Sequence, residues 1–429
     1  PAPEPISTPA PEPAPEPEPI PEAARDAPEA AAAVTADDAR PDPPLEVAIA
    51  EPAGSAAPSS PTVAASPAAP VDDALEEEQQ EDAAAFPFDA LDFLGLKEHL
   101  ELRGFRELLG GARAGYCRAV RDEIEELFAG GFLVPSRNKL TAARDEKGRI
   151  TAGFVRRKPG VHELDLVLEG AVVAPQALAI CPSIQRFHEE LAPKLIDVLH
   201  AVHPELRITV VDTIKVQLNE GVGGCFPMHY DTSGAHSRRT LTMLLYLNED
   251  WAPGDGGELR LFPFPYQTVD IAPRLGTLAM FCATEMLHRV LPSRARRVCL
   301  SVWFAAEPAA AHRSFPNRAP PGLPAESAGF LRFLMQRDNR RLLSKVWFRE
   351  EYATSFVDAF GGAGGGGGDG GGGGVDDDGR SEAEKAEELR RVLDLDARET
   401  DKAAQLLPHG LMDRLKATLL FATPDVEAA

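Results

Sequence analysis

The sequence predicts a mainly β domain, a sandwich or barrel of short strands with α-helices packed beside it, set between a disordered proline-rich tail and a glycine-rich linker. Three observations predict it. Residues 208 to 304 break into five short β-branched or alternating runs separated by turn residues, a spacing that suits two packed sheets or a closed barrel. Ahead of them, apolar residues recur at helical intervals. Residues 1 to 70 hold 19 of the chain's 39 prolines, which neither helix nor ladder accepts.

The tail, residues 1–85, reads as disordered and partly polyproline II, with runs such as Pro11-Glu12-Pro13-Ala14-Pro15-Glu16. Its simplest role is solubility or tethering; docking to a proline-reading domain is the alternative. It also carries most of the acidity. The chain totals −23 (44 Lys/Arg against 67 Asp/Glu), and the tail alone gives −17 (19 acids against two Arg), leaving −6 downstream. Such a balance argues against nucleic acid as a partner, because phosphate binding needs concentrated Lys and Arg.

Order is expected from Phe86. Tyr116, Val120, Ile124, Leu127 and Phe128 place one apolar stripe on a helix ending at Gly130-Gly131. A second helix is read from Ile184, Phe187, Leu191, Leu195, Leu199 and Val202, with a kink at Pro193. Asn138 to Lys158 is polar and basic, and reads as an exposed, solvated loop or hairpin rather than a core element, with substrate contact as the alternative. The strands are Ile208–Leu218, Arg239–Leu247, Glu258–Phe262, Gly276–Cys282 and Arg297–Phe304. Gly329 to Ala359 reads as helix. Gly361 to Gly374, with 12 glycines, is a flexible linker and not a phosphate loop, since no strand precedes it. The expected organisation is therefore tail 1–85, helical support region 86–207, β domain 208–306, helical extension 307–360, linker 361–379 and a short helical appendage 380–429.

With 44% hydrophobic residues in 429, the chain can bury a sizeable core. Five Cys (Cys117, Cys181, Cys225, Cys282, Cys299) without a C-x-x-C pair fit neither a disulfide framework nor a Cys-based zinc site, and point to a reducing compartment. No run of 18 apolar residues exists, so no membrane span is expected. The sequence begins at Pro1 rather than Met, which leaves a removed leader open.

Chemistry concentrates in a few residues. His229-Tyr230-Asp231 puts an imidazole and a carboxylate at i and i+2, on one face of a strand. Alone, the triplet reads as well as a surface pair. His288 follows Asp231 by 57 residues, at the end of another expected strand. Two imidazoles and one carboxylate make the facial set that suits non-haem Fe(II) with open positions. Nine residues past His288, Arg297 heads a strand whose period of two puts Arg297, Cys299, Ser301 and Trp303 on one face. Arg297 offers a planar fork to a carboxylate, and Ser301 a further hydrogen bond. Tyr246, on one face with Thr242 and Leu244, can add a phenol to the same group, or simply fill the barrel. Arg296 and Arg294 have the wrong position and should be exposed.

These blocks, His229 to Asp231, Leu245 to Trp251, Gly256 to Pro263, and His288 to Pro292 running on through Arg297 to Trp303, resemble the 2-oxoglutarate- and Fe(II)-dependent dioxygenases of the prolyl 4-hydroxylase superfamily. The resemblance covers residues 208 to 306. An Arg nine past the distal His resembles the soluble hydroxylases acting on hypoxia-inducible factor, where collagen-type enzymes tend to have Lys. Asn219 stands where those soluble enzymes carry Tyr, and Thr232 to His236 differ too, so the substrate does not carry over.

The resemblance implies a double-stranded β-helix, or jelly-roll, with His229, Asp231 and His288 holding Fe(II). 2-Oxoglutarate would chelate the iron while its distal carboxylate pairs with Arg297, helped by Ser301 and Tyr246; O2 takes the remaining position and ascorbate keeps the iron ferrous. The expected reaction hydroxylates a prolyl residue of a peptide or protein, giving succinate and CO2. The same chemistry on another residue or a small molecule is the alternative, and a non-catalytic scaffold serving its tails is the alternative of a different class. A cytoplasmic or nuclear location follows from the missing span.

The other candidates are weaker. His236 could stand in as third ligand, but would leave His288 and the Arg297 strand unexplained. His200 and His203 end a helix, where a cation suits the dipole. Trp303 reads as packing, and Cys299 as a small buried residue beside the pocket. No hydrolase, zinc-protease or P-loop motif is present.

Overall fold

The computed structural model describes residues 87–146, 149–232, 238–264, 266–306, 337–361 and 381–405, with 410 and 413. The expectations for the tail 1–85, the linker after Gly361, His236, and the start of the helix read from Gly329, up to residue 336, lie outside the described residues.

Helix α1 (Leu96–Arg103) precedes strand β1 (Phe105–Leu108), then α2 (Ala114–Ala129), β2 (Val134–Arg144), β3 (Ile150–Leu168) and β4 (Ala171–Val172). Helices α3 (Pro182–Arg186) and α4 (Ala192–Val202) are joined by one wide π turn, Phe187–Leu191. The kink expected at Pro193 takes this form: Pro193 lacks an N–H, and the widened turn just before it relieves the helix ladder. Strands β5 (Ile208–Asn219), β6 (Phe226–His229), β7 (Arg239–Tyr246), β8 (Leu259–Phe262), β9 (Val269–Ile271), β10 (Leu278–Cys282), β11 (Leu287–Val290) and β12 (Arg297–Ala306) follow. Helices α5 (Arg337–Trp347), α6 (Arg349–Phe360) and α7 (Glu382–Ala404) close the order.

The strands form two antiparallel sheets, the jelly-roll expected. The larger runs β1-β10-β7-β12-β5-β3-β2, with β4 on β3; the smaller runs β6-β11-β8-β9. Period-two alternation divides their faces. Ile214, Val216 and Leu218 of β5, Met243 and Leu245 of β7, and Val298, Leu300 and Val302 of β12 pack under Tyr116, Val120, Ile124 and Leu127 of α2 and Leu195 and Leu199 of α4. The opposite faces enclose a cavity between the sheets, with Phe226, Leu244, Tyr246, Leu261, Phe281 and Cys299 in one inner cluster.

The C-terminal helices cover the outside of the small sheet, where Tyr352, Phe356 and Phe360 of α6 and Leu389 and Val392 of α7 meet Met228, Phe262 and Leu287. The single helix read for Gly329–Ala359 is two in the described part, broken at Phe348. Its second half turns to lay aromatic residues on the sheet.

Asn138 to Lys158 is the hairpin expected, exposed at residues 149–153, but the reading is corrected at its base. Asn138 pairs with Arg156 in the β2–β3 hairpin, and Ser136, Asn138, Leu140, Arg156 and Lys158 are buried. Leu140 joins the α6–α7 cluster, and Arg156 is ion-paired to Glu388 of α7. Polarity here marks a face turned to the cavity and to a helix rather than to water. Among the described residues no helix is long and apolar enough to cross a membrane. All five cysteines are free and buried.

Candidate metal centre

Strand pairing brings the two histidines together. His288 on β11 is the direct cross-strand partner of His229 on β6, and the ring centroids lie 4.3 Å apart. Asp231, two residues past His229, keeps the parity read from the sequence; its Oδ1 lies 3.7 Å from His229 Nε2 and 3.5 Å from His288 Nε2. One ligand atom from each residue falls within 4.8 Å of the others. His236, the competing third ligand, is not among the described residues.

Each donor is held from behind. His229 Nδ1 lies 2.8 Å from Pro227 O, and His288 Nδ1 2.9 Å from Met286 O. A ring that donates its Nδ1–H to a carbonyl carries a bare lone pair on Nε2, the form a metal needs. Thr242, reaching across from β7, donates its hydroxyl to Asp231 Oδ2, which leaves Oδ1 for the shared point. Burial, and then the neighbouring His288, hold His229 down to about 3, so its ring is neutral at any ordinary pH. Asp231 lies well below the usual carboxylate range: burial opposes its ionisation, but His288, His229 and the Thr242 hydroxyl outweigh it. Two imidazoles and one ionised carboxylate, with no fourth such ligand among the described residues, are an open facial set, fit for Fe(II) and unlike a closed structural zinc site.

Facing the triad across a shared cavity stands Arg297, 3% exposed. Its Nε donates to Gly257 O at 2.8 Å, its Nη1 approaches Cys299 Sγ at 3.5 Å, and its guanidinium carbon lies 5.1 Å from the centroid of the Tyr246 ring. No carboxylate is among these partners. Gly257 permits the approach: at φ +77°, an added Cβ would come within 2.9 Å of Arg297 Cδ. The Tyr246 hydroxyl beside it is buried without a hydrogen-bond partner. Ser301 lines the same space and donates to Gln217 Oε1 at 3.3 Å. A buried guanidinium and a hydroxyl line one cavity, with the phenol of Tyr246 against the guanidinium, a chemistry suited to a carboxylate.

The sequence from residue 214 to 305 matches the 2OG-Fe(II) oxygenase superfamily. The chain carries a 2-oxoglutarate/Fe(II) oxygenase domain. Solved structures similar to it include a prolyl 4-hydroxylase from Phytophthora capsici, 26% identical at a TM-score of 0.49 over 76% of this chain and 95% of that one. A prolyl hydroxylase from Trichoplax adhaerens is 20% identical at 0.40, over 55% and 94%. A carbocyclase of nogalamycin biosynthesis is 14% identical at 0.37, over 52% and 87%. These likenesses leave the substrate of the oxygenase unassigned.

Two further expectations are met in the oxygenase domain. Arg294 and Arg296 are exposed, and Arg296 pairs with Glu125 of α2. Asn219 is a clasp for the glycine-rich turn, donating to Gly224 O at 2.8 Å and accepting from Gly221 N–H at 3.0 Å. Trp303, read as packing, also lines the cavity, with the Arg239 guanidinium 4.9 Å above its ring. Sequence reading gave no role to Thr242 and Gln217, and met Lys158 only at the end of the stretch for which substrate contact was the alternative. Thr242 shares parity with Tyr246 on its strand, which was the available signal.

Proposed function

We propose that the protein is an Fe(II)- and 2-oxoglutarate-dependent dioxygenase that hydroxylates a prolyl residue in a peptide or protein, releasing succinate and CO2. The observation that carries the oxygenase reading is the open His229–Asp231–His288 set facing a buried Arg297 that has no carboxylate partner of its own. The prolyl assignment rests on the four sequence blocks that resemble prolyl hydroxylases. When bound, Fe(II) and 2-oxoglutarate supply, with O2, the oxidant for an unactivated C–H bond.

The chain's part is orientation. His229, Asp231 and His288 would hold the metal, and Thr242, donating to Asp231 Oδ2, fixes the carboxylate so that Oδ1 is left for it. Arg297 keeps its Nη2 amino group for the distal carboxylate of 2-oxoglutarate, and Ser301 and Tyr246 add hydroxyl donors. Leu244, Leu259, Phe281 and Val290 line the space around the donors and keep it poor in water. Ascorbate maintains the ferrous state, and five free thiols support a cytoplasmic or nuclear setting.

The test is full-length protein incubated with Fe(II), 2-oxoglutarate, ascorbate and a panel of proline-containing peptides. Succinate together with a one-oxygen mass gain on proline is expected. Succinate formed only with other acceptors would move the substrate elsewhere, and no binding or decarboxylation of 2-oxoglutarate would return the domain to a scaffold.

A further inference from the structure

The cavity wall formed by the β2–β3 hairpin carries charge that neither the metal nor the co-substrate uses. Lys158 is 4% exposed and lines the same cavity as His229, His288 and Arg297. Its Nζ donates to Ser136 Oγ at 2.7 Å and sits 4.3 Å from the centroid of the Phe226 ring; neither contact is an anion. Arg137 faces the same space as a further base, and the acids there are engaged elsewhere. Glu163 lies 3.9 Å from Lys215, which also reaches Asp165 at 3.5 Å, and Asp231 belongs to the triad.

Beside Lys158, Asn138 is 5% exposed, lines the cavity, and has its Oδ1 buried without a hydrogen-bond partner. Burial pushes Lys158 down to about 8, a value Glu163 and Lys215 adjust in opposite senses, so the ammonium remains largely charged at neutral pH. A charge out of water without a paired counter-ion, Glu163 acting on it only at longer range, is costly, as is an orphaned amide oxygen. Both costs fall if a ligand brings a carboxylate and an N–H together. A peptide with an acidic side chain does so. Phe226 and His229 lie three residues apart on β6 and both face the cavity, so this group adjoins the metal centre.

We propose that Lys158, with Ser136 and Asn138, forms a subsite for an acidic acceptor: a Glu or Asp side chain flanking the reacting residue accepts from Lys158 Nζ, while a backbone N–H of the same peptide donates to Asn138 Oδ1. The inference rests on the oxygenase reading and names the substrate class of that site as acidic peptides.

The probes are fluorescein-labelled Ala-Pro-Glu-Pro-Ala and Ala-Pro-Gln-Pro-Ala, the first following the Pro-Glu-Pro spacing at residues 11 to 13. Each is titrated anaerobically onto the full chain loaded with Fe(II) and 2-oxoglutarate, read by fluorescence anisotropy. Any competition from the tethered tail scales both apparent affinities alike and leaves their ratio intact. The Glu peptide should bind about tenfold or more tightly, the weight of a hydrogen bond to a charged group. In Lys158→Gln the ratio should fall to about one. A ratio near one in the unaltered chain, a ratio kept by Lys158→Gln, or no binding of either peptide at millimolar concentration overturns the subsite. The peptide comparison on the unaltered chain stands even if the variant fails to fold. Succinate formation without peptide reports on the oxygenase reading separately.

Discussion

Replacing Lys158 by Met should make the protein more stable. Methionine keeps roughly the volume of the lysine stem and removes the ammonium. The folded chain lowers Lys158 from its ordinary value of 10.5 to about 8, chiefly by burial. That gap converts to about 3 kcal/mol of penalty on the charged form. Loss of the Ser136 hydrogen bond and of the ammonium–Phe226 contact offsets about 1–2 kcal/mol, leaving a net gain of about 1–2 kcal/mol at pH 7. The pH dependence is the sharper test. Between pH 8 and 10.5 the unfolded chain holds a proton at this site that the folded chain has lost, so wild-type stability rises with pH there. The penalty is fully present below pH 8 and is gone above 10.5. Urea unfolding of both proteins from pH 7 to 10.5 should show the variant ahead at neutral pH and the advantage shrinking through that window. A variant no more stable at pH 7, or an advantage independent of pH, would refute the burial of a charged Lys158.

Arg297→Ala should raise the 2-oxoglutarate concentration needed for half-maximal turnover by about a hundredfold, the loss expected when a buried carboxylate keeps its charge and loses its partner; succinate formation against 2-oxoglutarate concentration measures it, and an unchanged requirement means the anchor lies elsewhere. Thr242→Val removes the donor that orients Asp231 and should weaken Mn(II) or Fe(II) binding by about 10–100-fold in a direct metal titration, with unchanged affinity counting against the orienting role. Phe356→Ala, at a fully buried site of the α6 cluster, should destabilise by about 3–5 kcal/mol in urea unfolding, and a loss below about 1 kcal/mol would show that α6 is not packed on the small sheet.

How far the sequence reveals this site depends on whether a feature is local. The parity of Arg297, Cys299, Ser301 and Trp303 is local to β12, and so is that of His229 and Asp231. Both were legible because a strand's period of two sorts faces without reference to any partner. The pairing of His288 with His229 and the reach of Thr242 to Asp231 are cross-strand facts, set by register across long connections. Thr213, Lys215 and Gln217 alternate with Ile214, Val216 and Leu218, so the polar inner face of β5 was written in the chain. Nothing local said that it faced a cavity rather than solvent. The hairpin failed for the same reason: Asn138, Arg156 and Lys158 read as soluble residues, and only α7, docked through Glu388 and Leu389, turns their strands into a wall.

The C-terminal helices line none of the cavity, yet they bear on the metal centre. Strands β6 and β11 have four residues each, and β6 is the edge of its sheet. Four-residue strands supply too few ladder bonds to fix two imidazoles to the tolerance a metal site demands. Residues next to each ligand are instead tied to α5 and α6. Met228 N–H donates to Ser355 Oγ at 2.9 Å, and the Tyr230 hydroxyl donates to Arg341 O at 3.0 Å. Arg341 Nη1 holds the carbonyls of Thr232 and Thr284 at 3.0 and 2.5 Å, and Arg289 pairs with Glu351 and Asp358. The free edge of β6 is thereby covered, which also removes a site for intermolecular strand pairing. A protein that loosens α6 should then lose metal affinity before it loses its large sheet, because the helices bind the ligands' neighbours while β5, β7 and β12 keep a core of their own under α2 and α4.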